Sequence, residues 1–133
     1  MKSYSLLTFV LLVSLVGCSR PSSSIDAKLD SSISGKTFSS SRNEEFTLQL
    51  DVHFDGGYQW AYSIGDTNVV RVDSIRYAPK SRDRKLLGGL AIQTLFFHTL
   101  QTGQSVVTLT ERRPWEKDIA PIDSLKFTVA VTH

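Results

Sequence analysis

The sequence predicts an all-β domain, an immunoglobulin-like antiparallel β-sandwich of about seven strands. Three observations predict it. Apolar residues recur at every second position in four separate stretches, rather than at the 3.6-residue spacing of a helix. Turn signals punctuate the chain at Asp55-Gly56-Gly57, Gly65-Asp66, Ala78-Pro79, Gly88-Gly89, Thr102-Gly103 and Ala120-Pro121. No stretch carries a convincing amphipathic helix.

The strands follow in chain order. In EEFTLQLDV, Phe46, Leu48, Leu50 and Val52 share one face, and Thr47, Gln49 and Asp51 the other. In YQWAYSIG, Tyr58, Trp60, Tyr62 and Ile64 alternate with Gln59, Ala61 and Ser63. In NVVRVDSIRYAP the apolar parity changes between Val72 and Ile75, which predicts a β-bulge or bend near Asp73-Ser74. LAIQTLFFHTL is apolar on both faces, so it is either a central strand or one that offers a face to a partner. SVVTLTE and DSLKFTVAVT alternate cleanly, the second through Leu125, Phe127, Val129 and Val131. Antibody-type paired cysteines are missing, so the relation to immunoglobulins is one of architecture.

The N-terminus has a different character. Lys2 is followed by an apolar run from Leu6 to Val16 and a small residue before Cys18, the layout of a secretory signal. Leu15-Val16-Gly17-Cys18 resembles the bacterial lipobox, which implies cleavage before Cys18 and acylation of that residue. Cys18 is the single cysteine of the 133 residues, so no internal disulfide or thiol pair is available. The domains expected are therefore a lipoprotein signal over residues 1–17, a lipidated cysteine with a Ser-rich tether over 18–35, and the sandwich over 36–133. Membrane contact through lipid on Cys18 is expected. Ser19 after the cysteine favours the outer membrane of a cell envelope, facing the periplasm or the surface.

Charge and motif content exclude several functions. Removing residues 1–17 takes away Lys2 and no anion, leaving 14 Lys and Arg against 13 Asp and Glu. A near-neutral domain without a basic patch is not expected to bind nucleic acid. His53, His98 and His133 show no metal-ligand spacing, so no metal is expected. No GxSxG is present, and no carboxylate pair stands out for acid–base work. The glycines at 56–57 and 88–89 lead into neither a helix nor a Lys-Ser/Thr, so no phosphate loop is expected. The expectation is a monomeric, non-catalytic domain without cofactor that binds through its loops.

Three loops stand out. HFDGGYQW, residues 53–60, contains a tight Asp-Gly-Gly turn. KLLGGLA, residues 85–91, is a flexible approach followed by backbone with almost no side-chain bulk at its glycines. RRPWE, residues 112–116, sets cations, a proline and a tryptophan beyond a strand. Taken in order, they resemble the chagasin family of cysteine-protease inhibitors. Arg113-Pro114-Trp115 matches the family's RPW third loop, Gly57-Tyr58 with Trp60 matches the end of its first loop, and Lys85-Leu86-Leu87-Gly88 stands where its second begins. The sequence departs from the family at the front of the first loop, where His53-Phe54-Asp55-Gly56 replaces Asn-Pro-Thr-Thr. It departs also in the second, which reads Gly88-Gly89-Leu90-Ala91.

The resemblance implies an inhibitor of papain-like cysteine proteases that wedges three loops into the active-site cleft. His53, Phe54, Asp55, Gly56, Gly57 and Tyr58 would enter the groove. Gly88, Gly89, Leu90 and Ala91 would flank it on one side, and Arg113, Pro114 and Trp115 on the other. Simpler readings stand beside this one. Trp60 belongs to the core by its phase, Tyr58 could join it, and Trp115 could fold back as a plug. Arg112 reads as a solvated charge at a strand end, and Arg113 as a partner of Glu111, Glu116 or Asp118. The alternative function is a non-catalytic envelope lipoprotein that binds another protein or a glycan. A narrow first loop favours inhibition, and a flat platform of Tyr58 and Trp115 favours a sugar.

Overall fold

A computed structural model describes residues 27–80 and 90–133. Eight strands build two four-stranded sheets. The first sheet holds β1 (Ala27–Leu29), β3 (Glu45–Val52), β6 (Ala91–Thr99) and β5 (Val70–Pro79), in that spatial order. The second holds β2 (Thr37–Ser41), β8 (Asp123–Thr132), β7 (Gly103–Arg112) and β4 (Gln59–Ile64).

The sandwich expected from the sequence is thus present, with two differences. Among the described residues there are eight strands, and each sheet is mixed, because β1 pairs parallel to β3 and β2 parallel to β8. The last part of the stretch read as tether also belongs to the fold. β1 and a 3₁₀ turn at Ser31–Ile33 lie within it, and Ala27, Leu29 and Ile33 pack against the core.

The core forms where the alternating faces meet. Phe46, Leu48, Leu50 and Val52 of β3 are each no more than 2% exposed. They face Val107 and Leu109 of β7 and Leu125, Phe127, Val129 and Val131 of β8, all buried. An aromatic line runs through both sheets: Phe38 lies 4.6 Å from Phe46, Phe46 stacks on Phe97 at 4.8 Å, and Phe97 meets Phe127 edge-on. The two-sided strand is central, with β6 between β3 and β5. Its Phe97 is buried, while Phe96 sits on the outer face beneath the Arg76 guanidinium. The expected irregularity in β5 is a register shift between Val72 and Ser74.

Two inward residues, Gln93 and Trp60, join the layers near one end. Gln93 of β6 is fully buried, and its amide bonds both backbone groups of Trp60, donating to the carbonyl at 2.8 Å and accepting from the N–H at 2.9 Å. The carboxamide closes the free edge of β4 as a neighbouring strand would. The Trp60 indole donates to the Asp51 carbonyl of β3 at 2.8 Å. Trp60 is therefore core, 5% exposed. These bonds satisfy groups whose burial without partners would cost about 1–3 kcal/mol each, and they fix the sheets relative to each other beside the loops.

Candidate functional site

Strand register brings the first and third candidate loops, and the roots of the second, to one end of the sandwich. In the first sheet Ala91 pairs with both Val52 and Pro79, so the chain leaves β3 and β5 at the same level. In the second, Gln59 pairs with Arg112, which brings the first and third loops together.

The first loop is a narrow turn. A 3₁₀ turn spans Phe54–Gly56, and Gly57 follows in the left-handed region at φ 76°. The N–H groups of Gly56 and Tyr58 both donate to the His53 carbonyl, and Gly57 N–H donates to Phe54. Both ends are therefore tied together, with Asp55 exposed at the tip. Each glycine answers a packing demand. A Cβ on Gly57 would stand 2.4 Å from the Trp115 ring, and one on Gly56 would stand 2.9 Å from the Tyr58 ring.

A buried carboxylate anchors the entry to this turn. Glu111 continues the inward phase of β7 and is 2% exposed. It accepts from the His53 backbone N–H at 2.8 Å and lies 3.0 Å from the ring Nδ1. A buried carboxylate needs such donors. The loop is thus fastened to the opposite sheet where it leaves β3.

The third loop is braced from inside. Arg112 donates through one guanidinium nitrogen to the carbonyls of Glu116, Lys117 and Ile119, at 2.7, 3.1 and 3.2 Å. It is no free strand-end charge; it gathers the loop's carbonyls. Replacing Arg112 by alanine is expected to lower stability by about 1 kcal/mol, and more if the carbonyls stay dry. Chemical denaturation would show this as a lower midpoint with an unchanged slope.

Arg113 ties the third loop to the first. Its Nε donates to the Gly56 carbonyl at 2.6 Å, another nitrogen donates to Glu116 at 2.9 Å, and its guanidinium lies 4.5 Å above the Tyr58 ring. The Glu116 hydrogen bond, foremost, raises the Arg113 pKa. Of the partners open to it in the sequence, Glu116 is the one used. Arg113 is therefore occupied within the loop cluster as well as facing its rim. Tyr58 is half-buried beneath it, and Trp115 stands out 67% exposed and so is not a plug.

The other flank of the first loop rests on β5. The Phe54 ring lies 5.8 Å from that of Tyr77. Tyr77 pairs with Gln93 and so shares its inward face, but β5 is an edge strand and the ring stays 44% exposed. Partial burial raises its phenol pKa above the ordinary 10.0. The first loop thus lies between the root of the second loop and the body of the third.

The second loop is only partly within the described residues. Lys85, Leu86, Leu87, Gly88 and Gly89 lie outside them. Leu90 is 41% exposed, as a contact residue would be. Ala91 is not offered to a partner: the inward phase of β6 begins with it, and its side chain is buried between Val52 and Pro79.

Tyr77 was not among the residues singled out by sequence; Glu111 entered there only as a possible partner of Arg113, and Arg112 only as a solvated strand-end charge. Glu111 did carry a signal, a carboxylate in the apolar phase of SVVTLTE. Among the described residues, Glu45, Asp73 and His98 also come together, with candidate ligand atoms within 4.8 Å of one another. They lie on three strands toward the opposite end of the first sheet, which is why linear spacing gave no hint of them.

Comparison with known proteins agrees with this geometry. A family model described as the chagasin family peptidase inhibitor I42 matches residues 39–131. No curated protein matches the chain. Among solved structures, the chain is similar to that of the cysteine protease inhibitor EhICP2 from Entamoeba histolytica, with a TM-score of 0.71 and 23% identity over 80% of this chain and 95% of that one. It is also similar to the solution structure of amebosin, with a TM-score of 0.64 and 20% identity over 80% and 97% of the two chains. PbICP-C, solved in complex with falcipain-2, matches at a TM-score of 0.50 and 18% identity over 80% and 98%. At these identities the structural likeness concerns the fold.

Proposed function

The chain belongs to the chagasin family of peptidase inhibitors, and from that premise we propose that it is a reversible, non-covalent inhibitor of papain-like cysteine proteases. The observation that carries this reading is the narrow first loop, tied at its base and supported on both sides. Its tip, Asp55-Gly56-Gly57, with Asp55 exposed and the two glycines half-buried, is thin enough to enter a substrate groove and cover the thiolate–imidazole pair. Glycine backbone allows close approach there. Trp115 supplies a rigid aromatic anchor on one side and Leu90 an apolar contact on the other, residue types suited to a groove wall. The bracing by Glu111, Arg112 and Arg113 means that little order has to be gained on docking. Nanomolar binding requires about −12 kcal/mol, within reach of an interface of ordinary size when both surfaces are preformed.

The loop residues carry no thiol or electrophile, so inhibition proceeds without a covalent bond. A protease site covered by the wedge cannot hold substrate, so inhibition is competitive. The test is a titration of papain with a fluorogenic peptide substrate. Competitive loss of activity that returns in full on dilution is expected. Undiminished activity at micromolar concentrations of the folded protein would reject this reading in favour of an envelope module that binds another protein or a glycan.

We also propose that the inhibitor is held on a membrane through lipid on Cys18. The cationic start, the apolar run and Leu15-Val16-Gly17-Cys18 support it. Several acyl chains on one residue hold a protein firmly, where a single chain does not. A tether between anchor and sandwich would let the loop end reach proteases away from the membrane surface. Cys18→Ser is expected to abolish incorporation of labelled palmitate and to release the protein from the membrane fraction. Equal membrane retention without Cys18 would contradict the anchor.

A further inference from the structure

Phe54 and Tyr77 are large rings in mutual contact, 5.8 Å between centroids, and each is about half exposed. A solvated turn has no need of two aromatics on its flank. Neither ring is among the buried core residues. They lie on the side of the first loop away from Trp115, which rests against Gly57. The turn therefore carries an aromatic surface on each flank, and the pair is continuous with the tip proposed to enter the cleft. Lys80 at the root of the second loop is paired with Asp51, so the two charges offset each other, and exposed Leu90 follows, its carbonyl bonded by the Lys80 backbone N–H. A surface of this kind gains from burying apolar area and loses from facing an unpaired charge.

We infer that Phe54 and Tyr77 form a specificity-determining shelf that packs on the wall of the protease cleft at the second-loop side, selecting proteases whose wall there is apolar or aromatic over those whose wall is charged. The inference rests on the inhibitor reading and adds to it a strand residue outside the three loops. Tyr77 contributes its ring face, since the phenol oxygen donates to no described partner. The shelf contributes little against a charged wall, so its removal narrows the differences between targets as well as weakening the tightest complexes.

The test uses the full chain and a panel of papain-like proteases, papain among them, with inhibition constants measured for the wild type, Tyr77→Ser, Tyr77→Phe and Phe54→Ser. Tyr77→Ser and Phe54→Ser are expected to weaken inhibition of the best-inhibited proteases about tenfold and that of the weakest much less. Tyr77→Phe, which keeps the ring, is expected to stay within about twofold. Melting temperatures of the variants separate a lost contact from a lost fold. Uniform constants within twofold across the panel for Tyr77→Ser, with Trp115→Ala still weakening inhibition, would overturn the shelf and leave the inhibitor reading standing. A folded wild type that inhibits none of the proteases would overturn both.

Discussion

Replacing Trp115 by alanine is expected to raise the inhibition constant against papain about 30-fold or more while leaving the fold nearly as stable as before. The ring is 67% exposed and rests its edge on Gly57 alone among the glycines. Truncating an exposed side chain shifts stability within about 0.5 kcal/mol. A buried aromatic anchor at the centre of an interface commonly costs 2 kcal/mol or more when truncated, and about 2 kcal/mol corresponds to roughly 30-fold in affinity. The other tryptophan supplies the contrast. Trp60 is 5% exposed, and its indole and backbone are bonded to Asp51 and Gln93. Trp60→Ala is expected to destabilise by about 3–5 kcal/mol. If Trp115→Ala instead lowered the melting temperature as Trp60→Ala does, Trp115 would be part of the core and not an anchor.

Gly57→Ala is expected to weaken inhibition further, about 100-fold, because it disturbs two jaws at once. The backbone at Gly57 is left-handed, φ 76°, which costs a residue with a Cβ about 1–2 kcal/mol. The new methyl would also stand 2.4 Å from the Trp115 ring and push the indole off its seat. Gly35 separates the two effects. It has φ 74°, nearly the same strain, and nothing within 4 Å of where its Cβ would stand. Gly35→Ala should therefore lose similar backbone stability and keep its inhibition constant. Equal losses of inhibition in both variants would mean that strain alone matters and that the contact between Gly57 and Trp115 does not.

The sequence carried much of the fold and the outline of the site. The strands β3, β7 and β8 were legible because each has one wet face and one dry face, and a period of two follows directly. The bulge in β5 was legible because the parity break from Val72 to Ile75 has few other causes. β1 and β2 were not. AKL is only three residues long and TFSSS is mostly polar, and they are strands because β3 and β8 leave an edge open beside them. Propensity contributes little there.

The site divides in the same way. The turn at Gly56-Gly57 and the exposed Trp115 follow from local chemistry. The braces do not. Arg112 bonds main-chain carbonyls of its own loop, which no side-chain pattern announces. The contact between Phe54 and Tyr77 exists because β5 lies beside β6, a fact of topology. Ala91 was expected at the surface with Leu90, yet the strand's inward phase starts one residue earlier than the loop reading allowed.

The most direct test of the central claim, that one loop end of the sandwich fills the protease cleft, is amide hydrogen exchange of the protein free and in complex with papain. Slowed exchange is predicted at Gly56, Gly57, Tyr58, Leu90 and Trp115, with the far end around Glu45 and His98 unchanged. Protection confined to the far end or spread along the outer face of either sheet, in a complex that is fully inhibited, would contradict the wedge.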